Sequence, residues 1–187
     1  MRKFVARIIL SALVLAVTAV PATPQQAFGH WGQVWGTWVW RTNNLLPALV
    51  TLHIDGTLSV SDGLMFGGLL PNSTTRMSPL HGAWERTGWQ TIAGTSLYLI
   101  FDSATGLITA WGRARTSIQI ADSFSSFQGK MFVETLPCAA GQAPDAPVTC
   151  PNPLDPAAKW VAQPNLPKDG FDISATRLAV EPAGPLP

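Results

Sequence analysis

Between Gly36 and Leu136 apolar and polar residues alternate with a period of two, and each alternating run ends at Gly, Pro, Asn, Asp or Ser. Such alternation marks strands with one buried and one solvated face. It predicts strands over residues 36–41, 48–54, 57–66, 81–89, 91–101, 107–120 and 124–136, and an eighth over 171–180. Trp38 and Trp40 share one face of the first. Asp55-Gly56 is a strong hairpin signal, and a type I′ turn is expected there because that turn needs positive φ at both central residues. Residues 102–106 form a second hairpin loop, with Gly106 where a left-handed residue is wanted. Gly129 is expected to mark a bulge. Residues 67–79 carry too much Gly, Pro, Asn and Ser for a ladder and read as a long loop.

Eight strands with short connections between sequence neighbours predict an all-β, up-and-down antiparallel meander. Such a sheet has two unpaired edges unless it closes, so an eight-stranded barrel is expected, with a two-layer sandwich as the competing architecture. A barrel of this size encloses room for one small ligand or for a filling of side chains.

Composition sharpens this picture. The chain has 187 residues, 47% hydrophobic and only 12% charged, with 16 Gly and 16 Pro, which excludes a coiled coil or helical bundle. Residues 1–22 read as an export signal: a basic start, an apolar run from Ile8 to Val20, and small residues at Val20-Pro21-Ala22. The run is too short to span a bilayer. The mature protein, residues 23–187, is then expected as a single domain in a periplasm or outside the cell, with no stable membrane span. Arg2, Lys3 and Arg7 leave with the signal, so nine basic residues face eleven acidic ones, which argues against a nucleic-acid partner.

The composition changes over residues 137–170, which hold eight prolines and both cysteines. This insert is expected to be irregular and stapled by a Cys138–Cys150 disulfide, the default for a lone pair in an oxidising compartment. A short helical turn at Lys159-Trp160-Val161 is expected to pin it.

Gly36-Thr37-Trp38 after an aromatic lead-in, together with Arg177 in the last strand, resembles the calycin arrangement shared by lipocalins, fatty-acid-binding proteins and avidins. The resemblance implies that Trp38 packs near the closed end of the barrel beneath Arg177. Asp55-Gly-Thr-Leu58 and His81-Gly-Ala-Trp84 are also similar to segments of bacterial lipocalin-like barrel proteins. The pattern departs from secreted lipocalins in lacking a helix before the last strand.

Candidate chemistry is sparse. No cofactor motif is present, and His30, His53 and His81 are too dispersed for a metal site. Asp55, Asp102 and Asp122 sit in turns, where they cap their own backbone. Trp38, Trp40, His81, Trp84, Tyr98 and Trp111 are the candidate ligand contacts, because large rings wall an apolar cavity. Arg113 and Arg115 share a strand face with Trp111. Facing outward they leave Ala110, Ala114 and Ile118 to the core, and facing inward they would make a carboxylate receptor. The leading function is the binding of a small apolar or aromatic molecule in the barrel. One alternative is a barrel enzyme of isomerase or cyclase type, with His81, Glu85 or Tyr98 moving a proton. Another is a filled structural barrel acting through its loops.

Overall fold

In a computed structural model the described residues are 34–42, 45–66, 74–139, 147–163 and 167–179, all within the unit spanning residues 33–187. The export signal, His30, most of the 67–79 loop, part of the insert and residues 180–187 lie outside them.

Ten strands form one antiparallel sheet: β1 (Gly36–Thr42), β2 (Leu45–Leu52), β3 (Thr57–Asp62), β4 (Thr75–Met77), β5 (Leu80–Arg86), β6 (Thr91–Asp102), β7 (Ile108–Ile120), β8 (Ser126–Pro137), β9 (Val161–Ala162) and β10 (Phe171–Arg177). Eight of them close in the order β1-β2-β3-β5-β6-β7-β8-β10, and β10 returns to pair with β1. The expected barrel is therefore present, and the seam runs through Trp38–Arg177 and Trp40–Ala175.

The two extra strands lengthen the wall. β4 pairs with the end of β6, in line with β5, and the strand is interrupted at Ser78-Pro79. Proline cannot donate to a ladder. Beside it, the Ser78 hydroxyl accepts from the Leu99 N–H at 2.9 Å while the Ser78 N–H donates to the Leu99 carbonyl at 2.9 Å. Part of the expected 67–79 loop is thus sheet. β9 likewise pairs with Glu134 and Thr135 of β8, beyond the stretch that β8 shares with β10. In place of the helical turn expected at 159–161, Val161 and Ala162 are strand because β8 offers them an open edge, and the Trp160 N–H turns back to the Ala158 carbonyl at 3.1 Å.

The hairpins fall where the sequence placed them, with one change of geometry. His53 donates to the Thr57 carbonyl and Gly56 to the His53 carbonyl, and Gly56 alone has positive φ, at 82°. This three-residue loop, a type I turn closed by a left-handed glycine, replaces the expected type I′ turn. Gly129 keeps regular register with Ile118 and Ile173, so no bulge forms; a Cβ there would strike the Ser117 carbonyl. The strand over 57–66 is cut short by a 3-10 turn at Gly63–Phe66.

Inward positions are apolar. Trp38, Phe127, Ile92, Ile120 and Val34 are fully buried, and Trp38 and Phe127 lie 5.2 Å apart at one end of the barrel. Phe124, at φ 52°, closes the β7–β8 turn beside this plug. A left-handed non-glycine residue costs roughly 1 kcal/mol, a cost set against the burial of its ring.

The outer rows are mainly polar: Ser59, Ser61, Thr95, Ser117, Gln119, Gln128, Lys130, Ser174 and Thr176 point away from the barrel. A transmembrane barrel has the reverse arrangement, apolar outside and polar inside. Among the described residues, no helix is long and apolar enough to cross a membrane.

Candidate ligand cavity

The fold gives the barrel two unlike ends. One is closed by the short turns at 53–56, 87–90 and 121–125 and by the Trp38–Phe127 plug. The other carries the long connections 63–79 and 138–170. Between them lies a cavity of about 70 Å³. Its wall is apolar over most of its extent, with Val50, Leu58, Val60, Leu80, Ile92 and Ile118 prominent. The lining runs along β3 from Leu58 to Asp62, four residue steps or about 13 Å. The space is therefore long and narrow: about half the ~150 Å³ of an engineered apolar cavity that takes benzene, drawn out along the barrel.

Of the aromatic side chains expected at a ligand, Trp40 and Trp84 line this cavity. Trp40 is buried against Phe127 in an edge-on contact, and its indole Nε1 has no hydrogen-bond partner. Trp84 reaches the closed end, where its Nε1 donates to the His53 carbonyl at 3.1 Å.

Trp38 sits below the cavity in the plug. Its Nε1 donates to the Val34 carbonyl at 3.1 Å, and the Arg177 guanidinium lies 5.9 Å from its ring centre. Arg177 also donates from Nη2 to the Trp35 carbonyl at 2.7 Å, tying the last strand to the segment before the first.

Tyr98 points inward on β6 and is buried, its ring laid over the bare backbone of Gly112, where any Cβ would overlap it. Burial pushes the phenol well above its usual range, and the Asp62 carboxylate adds to the effect.

His81 and Trp111, also expected at the ligand, lie on the outer face. His81 has the opposite parity to Leu80 and Trp84 and is exposed, within a row formed with Ser59 and Leu97. Glu85, four residues on, shares that exposed face. Trp111 alternates with the buried Ala110 and Gly112 and belongs to the outward row of Arg113 and Arg115.

Both arginines face outward. Glu134 accepts from each: Arg113 Nη2 at 2.8 Å and Arg115 Nε at 3.1 Å. Arg113 also stacks 4.2 Å from the Trp160 ring centre, laying the insert against the barrel wall. The Cys138–Cys150 disulfide is present within the insert.

Sequence inspection missed Asp62, the titratable side chain in the cavity wall among the described residues. Ser96 and Thr116 add hydroxyls to the lining. Thr116 Oγ1 already donates to the Gly94 carbonyl at 3.4 Å. Among the described residues no cluster of His, Cys, Asp or Glu has a metal-holding arrangement. No protein-family model, curated protein or solved structure matches the chain.

Proposed function

We propose that the chain is an exported, calycin-like barrel that binds one small, slender apolar molecule inside. The observation that carries this reading is the cavity itself. It is an elongated, almost wholly apolar space within a closed barrel, bordered by two tryptophans and lying between a plugged end and an end with long connections. Moving apolar surface into such a space contributes about 25 cal/mol per Å², enough for a short alkyl chain or small ring to bind without charge pairing. The Trp38–Arg177 pairing supports the calycin likeness, and the disulfide is compatible with a periplasmic or extracellular setting.

The enzyme alternative has less support. His81 and Glu85 stand outside the barrel, and Tyr98 holds its proton too tightly to exchange it near neutral pH.

The test is titration of isotope-labelled protein with benzene and hexane. Binding predicts amide shifts confined to cavity residues such as Leu58, Val60, Ala114 and Ile118, with a change in tryptophan emission. Saturating probe without either response would favour a filled structural barrel.

A further inference from the structure

The rungs that β6 and β7 give to the cavity wall change from one end to the other. Ile92 pairs with Ile118 near the closed end, Gly94 with Thr116 in the middle, and Ser96 with Ala114 toward the long connections. The next inward rung, Tyr98 with Gly112, lies outside the lining, so the lined stretch of β6 ends at Ser96. From Ile92 to Ser96 is four residue steps, about 13 Å. This part of the wall therefore grades from branched aliphatic to small and polar.

Ser96 is 5% exposed, the one polar residue so deeply buried among the described residues. Its row neighbours are Gly82 on β5 and Ala114 on β7, and neither has the bulk to cover its hydroxyl. Thr116 Oγ1 is committed to the Gly94 carbonyl, whereas the Ser96 hydroxyl makes no hydrogen bond to a described residue. A hydroxyl carries one donor and two acceptor sites, and leaving it buried and unpaired is unfavourable. The wall thus offers one neutral polar contact at the end of an apolar slot.

We propose that Ser96 anchors the ligand. The ligand is an uncharged, slender molecule with an alcohol or ketone oxygen at the end toward the long connections, hydrogen-bonded to Ser96 Oγ. Its alkyl body runs along β6 and β7 to Ile92 and Ile118. A single hydroxyl cannot offset the desolvation of an ion in an apolar space. Asp62 has an interaction of its own, and Arg113 and Arg115 face outward on Glu134, so neither an ammonium nor a carboxylate is matched. This inference rests on the reading of the cavity as a binding site.

The experiment is a matched six-carbon series, 1-hexanol, 2-hexanone, hexylammonium, hexanoate and hexane, titrated at neutral pH with cavity amides as the readout. In the unaltered protein, hexanol and hexanone are expected to bind at least about tenfold more tightly than either ion. Nuclear Overhauser contacts should run from the C1 protons of hexanol to the Ser96 β-protons, and from its methyl group to Ile92 and Ile118. Ser96→Ala is expected to weaken hexanol and hexanone roughly two- to tenfold, the effect of one net hydrogen bond, and to leave hexane within about twofold.

Either ion binding as tightly as hexanol, or hexanol seated with its methyl group at Ser96, would overturn the inference, and neither result needs a variant to fold. Hexane bound, with hexanol indifferent to Ser96→Ala, would overturn this inference alone. Failure of every probe, hexane included, would overturn the binding reading and this inference with it.

Discussion

Trp38 and Arg177 are cross-strand partners at the seam where the first barrel strand meets the last, and the guanidinium lies 5.9 Å from the centre of the buried indole. The same guanidinium donates to the Trp35 carbonyl at 2.7 Å. One side chain thus fastens both ends of the sheet. Arg177→Ala is expected to lower unfolding free energy by about 2–3 kcal/mol, the sum of a charge-assisted hydrogen bond and a cation–π contact. Urea denaturation checks it. Arg177→Lys should restore less than half, since an ammonium lacks the planar fork that stacks and donates together.

Glu134 holds two arginines on the outer wall, with its side chain 16% exposed against 52% for Arg115. Glu134→Gln should therefore cost about 1–3 kcal/mol, because it leaves the guanidinium of Arg113 half-buried without its anion. Arg115→Ala should cost less than about 1 kcal/mol, as expected of an exposed ion pair. Equal losses in thermal denaturation of the two variants would contradict this account.

Two turn aspartates set an acid limb of stability. Asp55 is held below its ordinary 3.8 first by the Thr57 hydroxyl and then by the Thr57 N–H. Asp102 is lowered by the Thr105 N–H and then by the Thr105 hydroxyl. A carboxyl whose folded pKa is depressed contributes stability above its unfolded pKa, and that contribution is lost as pH falls through the folded one. The melting temperature should fall as the solution is acidified below about pH 4. The double variant Asp55→Asn, Asp102→Asn should show a shallower fall over that range.

Tyr98 is the chain's only tyrosine, so its ionisation can be read directly from ultraviolet absorbance. Burial, and then the nearby Asp62 charge, raise its phenol above the ordinary 10.0. The folded protein should show no phenolate signal as pH passes 10.0, and the signal should appear together with unfolding. The sign is that of a raised acid: the unfolded chain gives up the proton first, so stability declines as pH rises past the unfolded value. A free phenolate titration in folded protein would show that the ring is not sealed.

Much of this architecture was legible from alternation alone. Parity separates Trp40, which points in, from Arg113, which points out, and it carries Trp111 outward with the arginines. The same rule places His81 opposite Trp84, so its removal from the cavity follows from its neighbours. β4 and β9 were not legible, since three residues and two residues are too short to display a period. Asp62 was missed for a different reason. Its place opposite Ala48, and through Ala48 beside Trp40, is set by register across three strands, which no local pattern encodes.

The interruption at Ser78-Pro79 and the one-sided pairing of β9 bear on how the wall comes apart. Among the described residues β4 pairs in the ladder with β6 and β9 with β8, each along one edge, whereas each strand of the closed ring has a neighbour on both sides. The fringe around one end therefore rests on fewer ladder bonds than the body, and faster amide exchange there than in the ring is the expected consequence.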